Sequence, residues 1–309
     1  MIVAMVVPPA LSVLLGASAP WLGRRLPPAT AVRLLTVAML GAALASGFVL
    51  AVAGTLAVGQ VPAVAAEGGW SARALASGLP VPVAVGGLAA LAAAGLLLAA
   101  LRRVALSGRD LVRAARTCRR LGPDVDGLVV IEDEEPDAYA LPGLGGRVVV
   151  STAMLRALPS DERRVLLAHE AAHLAHRHHL WVQAAFVAAA ANPLLRPAVR
   201  AVRAAVERWA DEVAAAEVGD RALAARALAR AGLARTRGRT VVRPLALAGA
   251  DRGVADRARA LLAGPPPRRR ALAGAVTALV LTVAAAAFVT SRDTETRFDV
   301  AESAYAAGH

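Results

Sequence analysis

The chain has 309 residues, of which 57% are hydrophobic and only 3% aromatic, and its formal net charge is +12 at pH 7. All 35 basic residues are arginine, but no aromatic residues alternate with them as in single-strand-binding platforms, so we exclude a nucleic-acid partner and favour anionic membrane lipids. The single cysteine, Cys118, excludes an intramolecular disulfide and suits a reducing compartment.

Four apolar segments are long enough to cross a bilayer, which takes about 20 residues. The first has an alternative interpretation as a cleaved signal peptide, because Ala17-Ser18-Ala19 resembles a cleavage site. It lacks a basic segment in front of it, which favours an uncleaved anchor. The predicted spans lie near Ile2–Leu22, Leu34–Val58, Val81–Leu101 and Ala271–Val289.

Arginines flank these spans unequally and predict an orientation. They lie between the first two spans, after the third and before the fourth, whereas the loop over residues 59–79 holds only Arg73. By the positive-inside rule, residues 105–264 are then cytoplasmic, and the tail beyond Ser291 is outside. Arginine without lysine in an alanine-rich chain is typical of a GC-rich bacterium. We therefore expect a multi-pass bacterial plasma-membrane protein with three regions: residues 1–104 with three spans, the cytoplasmic domain 105–264, and residues 265–309 with the last span and a short extracytoplasmic tail.

Past the third span the pattern changes to a basic helix and two β-branched runs. The helix covers Ser107–Leu121, and Gly122-Pro123 ends it. The runs Leu128–Ile131 and Arg147–Val150 predict a small antiparallel pair of strands. A peptide can add to the edge of such a strand, although a purely structural role for the strands fits the sequence equally well.

The most informative motif is HExxH, which begins at His169 and ends at His173. Positions i and i+4 share one helix face, so both imidazoles can reach a single Zn²⁺ from the same side. Glu170 can act as general base on the attacking water. A helix start is predicted at residues 159–162, where two acids occupy the first turn. The alternative is a solvated, histidine-rich helix end in which Glu170 pairs with a nearby arginine.

A second amphipathic helix over residues 197–218 supplies the third ligand. Glu207 and Asp211 share a face, so Glu207 can complete a His₂Glu site while Asp211 accepts the spare N–H of a ligand histidine. The alternative is a solvated network of these two acids with Arg203. Glu212 and Glu217 are the other carboxylates within reach, but five residues apart they do not share a face, so they make a poorer pair, with Glu212 the next candidate ligand.

Two further stretches are less informative. Leu180–Leu195 is apolar but, at about 16 residues, too short to span a bilayer, and Asn192-Pro193 interrupts it, so we predict a buried or interfacial helix. Residues 232–264 are interpreted as a mobile surface stretch with two short helices.

These residues resemble a known family, the membrane-bound zinc peptidases of the HtpX and CAAX-prenyl-protease (Ste) type, together with the related BlaR/MecR antirepressor peptidases. The resemblance runs from about Val129 to Val218 and includes residues 137–143 and 146–152 before the HExxH motif. These families commonly have asparagine where Asp137 stands, and the region from Arg235 to Gly264 matches only loosely. The resemblance implies one zinc ion per chain and a protein or peptide substrate.

We therefore expect a mainly α integral membrane protein of about four transmembrane helices and a zincin-like α+β domain with a small β-hairpin. The expected activity is zinc-dependent endopeptidase cleavage of membrane or membrane-proximal proteins. Alternatives are an antirepressor protease that cleaves a transcriptional repressor, a site-two-type intramembrane protease, and a non-catalytic regulator with a zinc-binding fold. Candidates for stabilising the oxyanion are His176, His178, His179 and Arg208. The sequence does not indicate the oligomeric state.

Overall fold

The computed structural model describes residues 2–77, 82–121, 124–143, 145–238, 244–265, 267 and 269–307, without side chains for residues 2–4, 237, 238 and 244–252. This part of the chain is mainly α-helical, with one small sheet. The helices are α1 Ile2–Arg25, α2 Pro28–Gly59, α3 Pro62–Gly68, α4 Ala72–Ala76, α5 Val83–Arg120, α6 Thr152–Ala157, α7 Ser160–Ala175, α8 His178–Ala191, α9 Arg196–Val218, α10 Arg221–Gly238, α11 Pro244–Leu262 and α12 Arg270–Ala306, and the strands are β1 Leu128–Ile131, β2 Ala138–Leu141 and β3 Arg147–Ser151.

Four helices, α1, α2, α5 and α12, are long and apolar enough to cross a membrane, which confirms the prediction of four spans. Two of them extend far beyond their predicted spans. Helix α5 continues to Arg120 without a break, so the predicted boundary between residues 104 and 105 lies inside a helix. Helix α12 continues through the predicted tail to Ala306.

The extension of α12 packs against the connection between α2 and α5. The rings of Trp70 and Phe298 meet edge to face at 5.3 Å, and the Ser71 N–H donates to the Ala301 carbonyl at 2.9 Å. Leu75 and Ala301 are buried in the same small cluster. The predicted outer loop and the C-terminal tail therefore lie at the same end of the membrane helices.

The sheet differs from the predicted antiparallel pair. β1 pairs with β3 in parallel, and β2 pairs with β3 in antiparallel, so the strand order is β1-β3-β2. The prediction was wrong because the run at 138–141 is itself a strand that lies between the other two in sequence, and the chain reverses twice before β3 forms. The hairpin is made by β2 and β3, and β2 forms one edge of the sheet.

Helices α8 and α9 pack into the membrane bundle rather than beside it. One buried cluster joins residues of α1, α2, α8, α9 and α12, and it includes Trp209. At its centre the Asn192 side chain donates to Ser12 Oγ at 2.9 Å and to Ser46 Oγ at 3.2 Å. Gly16 permits this contact, since a Cβ there would lie 2.4 Å from the Leu194 carbonyl oxygen. Helix α8, 14 residues long and buried on this side, is too short to cross a bilayer.

The stretch predicted as mobile surface is mostly two ordered helices. Ala231 and Ala234 of α10 pack with the sheet and α7, and Leu261 of α11 is buried against α7, α9 and α10. The prediction of helices here is right, and the prediction of a surface location is wrong for these three residues, because an arginine-rich composition does not indicate the apolar face that packs against neighbouring helices. Residues 239–243, between the two helices, lie outside the described part.

Candidate metal centre

Helix α7 places the HExxH residues at the bottom of a cleft. Asp161 and Glu162 lie in its first turn, where the positive end of the helix dipole stabilises negative charge. Val165, Leu166, Ala168 and Ala172 are buried, which fixes the rotation of the helix about its axis. As a result His169 and His173 point toward α9, where Glu207 lies on the facing surface.

Three side chains bring their donor atoms together. One atom each of His169, His173 and Glu207 lies within 4.8 Å of the others. The two Nε2 atoms are 3.2 Å apart, close to the roughly 3.3 Å that tetrahedral zinc with Zn–N bonds of about 2.0–2.1 Å requires. The Glu207 oxygens lie 3.7 Å from His169 Nε2 and 3.9 Å from His173 Nε2. The donor set therefore fits one Zn²⁺ with a fourth position open to water.

Each histidine has a partner for its other ring nitrogen. His169 Nδ1 lies 3.1 Å from Asp211 Oδ1, and His173 Nδ1 lies 3.1 Å from His178 Nδ1. Asp211 can only accept, so the His169 proton is assigned to Nδ1 and its Nε2 offers a lone pair. If His173 donates to His178 in the same way, both Nε2 atoms are free to bind one cation.

The electrostatics of the cleft favour the protonation states that ligands need. Burial lowers the pKa of His173 to about 4, so its imidazole is neutral at pH 7. Burial alone would raise the pKa of Asp211, but hydrogen bonds from Arg257 and His169 hold it at about 2. Asp211 is therefore an anion that accepts from His169 throughout the physiological range.

Arg257 of α11 is a site residue that the sequence analysis missed. Its Nε and Nη2 bind the two Asp211 oxygens at 2.7 and 2.6 Å, and its Nη1 lies 3.0 Å from Glu207 Oε2. This fork holds both carboxylates of α9 at their positions beside the histidines. Arg203, the partner considered from the sequence, is exposed instead. Arg257 lies in the region 235–264, which resembles the known families only loosely. No local signal therefore set it apart from the other arginines.

Glu170 lies beside the donor set and is buried, which raises its pKa above the usual range, while His169 and Arg235 oppose the shift. Its closest basic partner is Arg235 of α10, with Nη2 at 3.6 Å from Oε1. Nothing in the sequence set Arg235 apart either. A carboxylate with a raised pKa, held near one cation and facing a cleft, is suited to take up and release a proton.

The edge strand β2 borders the same cleft, a cavity of about 420 Å³ whose lining includes His169, Glu170, His173, Glu207 and Ala140. The Ser151 N–H donates to the Asp137 carbonyl, so the backbone groups of Asp137 face β3. In an antiparallel pair this orientation alternates, and the backbone groups of Ala138 and Ala140 therefore face away from β3. At Ala138 both groups are already used, since Asp137 accepts from the N–H and Arg235 donates to the carbonyl. Ala140 is the next residue of β2 whose backbone groups face away from β3.

The four oxyanion candidates occupy different places. His179 and His178 both line the cleft, and His178 is otherwise buried and contacts His173. His176 stacks on Trp209 at 4.6 Å. Arg208 donates to the carbonyl of Gly23 at 2.7 Å, which ties α9 to the end of α1. Arg235, which was not among the four candidates, is the cation nearest to Glu170. Which of the four candidates stabilises the oxyanion stays a prediction.

Removing the charge of Asp211 tests the support of His169. We expect Asp211→Asn to weaken zinc binding by about 10- to 100-fold, because the amide accepts less strongly from His169 and leaves Arg257 poorly paired. The measurement is competition with a chromophoric zinc chelator. Asp256→Asn removes an exposed carboxylate next to Arg257 on α11 and should leave the affinity unchanged. Equal affinities for the Asp211 variant and the original chain would show that this carboxylate only joins α9 to α11.

Comparison with known sequences finds similarity in the part of the chain that carries the HExxH motif. Residues 111–190, which contain the sheet and α7, match the sequence model of Peptidase family M48. A stretch of 61 residues is 46% identical to a protein described as "Protease HtpX homolog" from Aeropyrum pernix, and it covers 19% of this chain and 19% of that relative. No solved structure matches. The matches confirm the predicted resemblance to HtpX-like M48 metallopeptidases, whereas the resemblance to CAAX-prenyl proteases and BlaR/MecR peptidases stays a prediction.

Proposed function

We propose that this chain is a membrane-embedded zinc endopeptidase that cleaves membrane or membrane-proximal proteins. The observation that carries the proposal is the convergence of His169, His173 and Glu207 within 4.8 Å, with Glu170 beside them. The edge of β2 lines the same cleft, so a metal-ligand set, a base and a docking edge for a peptide backbone meet in one place.

The roles of the residues follow from their positions. Zinc, when bound to this donor set, supplies Lewis acidity and a lower pKa for a bound water. Glu170 takes the proton of the attacking water and delivers it to the leaving amine. Asp211 and His178 orient the two histidines, and Arg257 positions the carboxylates of α9. Ala140 offers backbone hydrogen bonds to an extended substrate, which bind main chain without demanding one sequence.

Two alternatives have observations against them. A site-two-type protease needs its motif inside a membrane span, but α7 is not among the helices of the described residues that could cross a bilayer, and it carries Arg163 and Arg164. A non-catalytic regulator predicts damage to the site, but the donor set, base and supporting residues are all present. The substrates could be damaged membrane proteins, as in quality control, or a transcriptional repressor. This choice concerns the substrate alone and stays open to experiment.

The activity is tested with the purified full-length chain in lipid nanodiscs and an unfolded, fluorescently labelled protein as substrate. We expect fragments to form, cleavage to stop after removal of metal with a chelator, and cleavage to return when zinc is added. A preparation of Glu170→Gln made in parallel controls for contaminating proteases. Absence of zinc-dependent cleavage of several unfolded substrates, at full zinc occupancy, would overturn the endopeptidase assignment.

The orientation in the membrane is a separate prediction. We expect the catalytic residues to face the cytoplasm and the end formed by α3, α4 and the last turns of α12 to face outward, because arginines concentrate at the catalytic end. In a Cys118→Ser background, an impermeant thiol reagent added to intact cells should label Cys placed at Ser77 or Ser303 but not at Ser160. Labelling of position 160 alone would reverse the orientation and direct the search for substrates to the cell envelope.

A further inference from the structure

Three arginines without partners lie along the exposed face of α9. Arg196, Arg200 and Arg203 recur at helical spacing, and all three are exposed. Among the described residues none of them forms an ion pair or hydrogen bond, in contrast to Arg208 of the same helix. A row of unpaired guanidinium groups beside a membrane-spanning helix is free to bind an anion from outside the chain.

The depth of this row follows from the packing of α9 on α1. The two helices run in the same direction, with Gly16 beside Leu194 and a Cβ at Gly23 3.6 Å from the Cβ of Ala201. Ala201 is therefore nearly level with the end of α1 at Arg25. At about 1.5 Å per residue, Arg203 is level with that end, and Arg196 lies roughly 10 Å deeper along the spanning helix.

Other residues mark this height as the membrane interface. Trp21 of α1 is 46% exposed, and the Arg25 guanidinium lies 5.4 Å from its ring, an arrangement typical of the interfacial aromatic belt. Below the arginines, the tip of the α8–α9 hairpin exposes Leu194. Asn192 at this tip contacts Ser12, which lies about 20 Å along α1 from Arg25. The hairpin thus has an apolar tip at hydrocarbon depth and a basic face above it.

We propose that Arg196, Arg200 and Arg203 form a binding site for the phosphate headgroups of anionic phospholipids. Guanidinium groups bind phosphate oxygens in a bidentate manner, and the row spans a depth comparable to the headgroup layer, about 5–8 Å thick on each side. Long side chains at the deeper end reach upward to the same layer. Because Glu207 lies one turn after Arg203, a bound lipid would also hold the helix that carries the candidate third zinc ligand.

The test uses the full chain in phosphatidylcholine vesicles that contain a small fraction of either phosphatidylglycerol or phosphatidylcholine brominated near the headgroup. Bromine quenches nearby tryptophan, so the probe is Ala204→Trp, at an exposed position one turn after Arg200. The part of the quenching that this tryptophan adds reports on the proposed site. Since each basic residue near an anionic surface favours binding by about fivefold, we expect a preference for phosphatidylglycerol of at least about tenfold. It should vanish in the variant Arg196→Gln/Arg200→Gln/Arg203→Gln and persist when the same positions become lysine.

The matched control is Arg120→Gln/Arg164→Gln/Arg226→Gln, which removes the same charge from three exposed arginines far from this row. It should keep the preference. Equal quenching by both lipids in the chain that carries only Ala204→Trp, or equal loss in the control variant, would overturn the proposal. Displacement of brominated phosphatidylglycerol by inorganic phosphate at matched ionic strength would identify a site for free anions instead of lipids. None of these readouts depends on peptidase activity.

Discussion

Replacing Glu170 by glutamine should abolish peptide hydrolysis while the zinc content stays at that of the original chain. The amide has nearly the same shape and keeps the contact with Arg235, but it cannot accept the proton of the attacking water. Loss of a general base costs about 10²- to 10⁴-fold in rate, so the residual activity should fall to the background of the assay. The measurement pairs hydrolysis in nanodiscs with metal analysis of the same sample.

Glu162→Gln is the matched control for this variant. Glu162 is a buried glutamate of the same helix, and Arg230 lies 3.2 Å from it, but it is two turns away from the donor set. The control should retain both zinc and activity. If Glu170→Gln kept activity within a few-fold of the original chain, another group would have to be the base. Loss of zinc in this variant would mean that Glu170 itself contributes to the metal site.

Removal of any one donor should release the metal. We expect His169→Ala, His173→Ala and Glu207→Ala to weaken zinc binding by far more than the about 10- to 100-fold of an outer carboxylate, because each removes a direct metal bond. Glu207→Ala is the most informative, since Arg257 keeps its fork on Asp211 and the fold should persist. Zinc per chain is measured after dialysis against a weak chelator.

His179→Ala controls for loss of a histidine from the same cleft, because His179 lines the cavity without belonging to the donor set. It should bind zinc like the original chain. Full occupancy in Glu207→Ala would move the third ligand elsewhere. Glu212 would then be a poor substitute, since Arg221 holds it in a two-point ion pair at 2.7 and 2.9 Å.

The sequence predicted those parts of the site that lie on single helices. Spacing alone placed His169 and His173 on one face of α7, and it placed Glu207 and Asp211 on one face of α9. Four apolar segments of spanning length predicted the membrane helices. In each case a local period or a length was enough, because the structure that it specifies forms within one helix.

The parts that the sequence did not predict depend on contacts between distant segments. Arg235 and Arg257 differ from other arginines only by what α10 and α11 pack against, and nothing in their neighbourhood indicates the carboxylates that they meet. The parallel pairing of β1 with β3 requires a connection that includes β2. Asn192 appeared as a break in an apolar run, but its hydrogen bonds to Ser12 and Ser46 join the turn between α8 and α9 to α1 and α2.

X-ray absorption at the zinc edge of the purified full-length chain tests the central claim most directly. With His169, His173 and Glu207 as ligands and one open position, we expect about four nitrogen or oxygen neighbours at about 2.0–2.1 Å, scattering from two imidazoles, and no sulfur. His173→Ala should remove the signal of one imidazole together with most of the bound zinc. A spectrum of the original chain with three or more imidazoles, or with a sulfur neighbour, would contradict the proposed donor set.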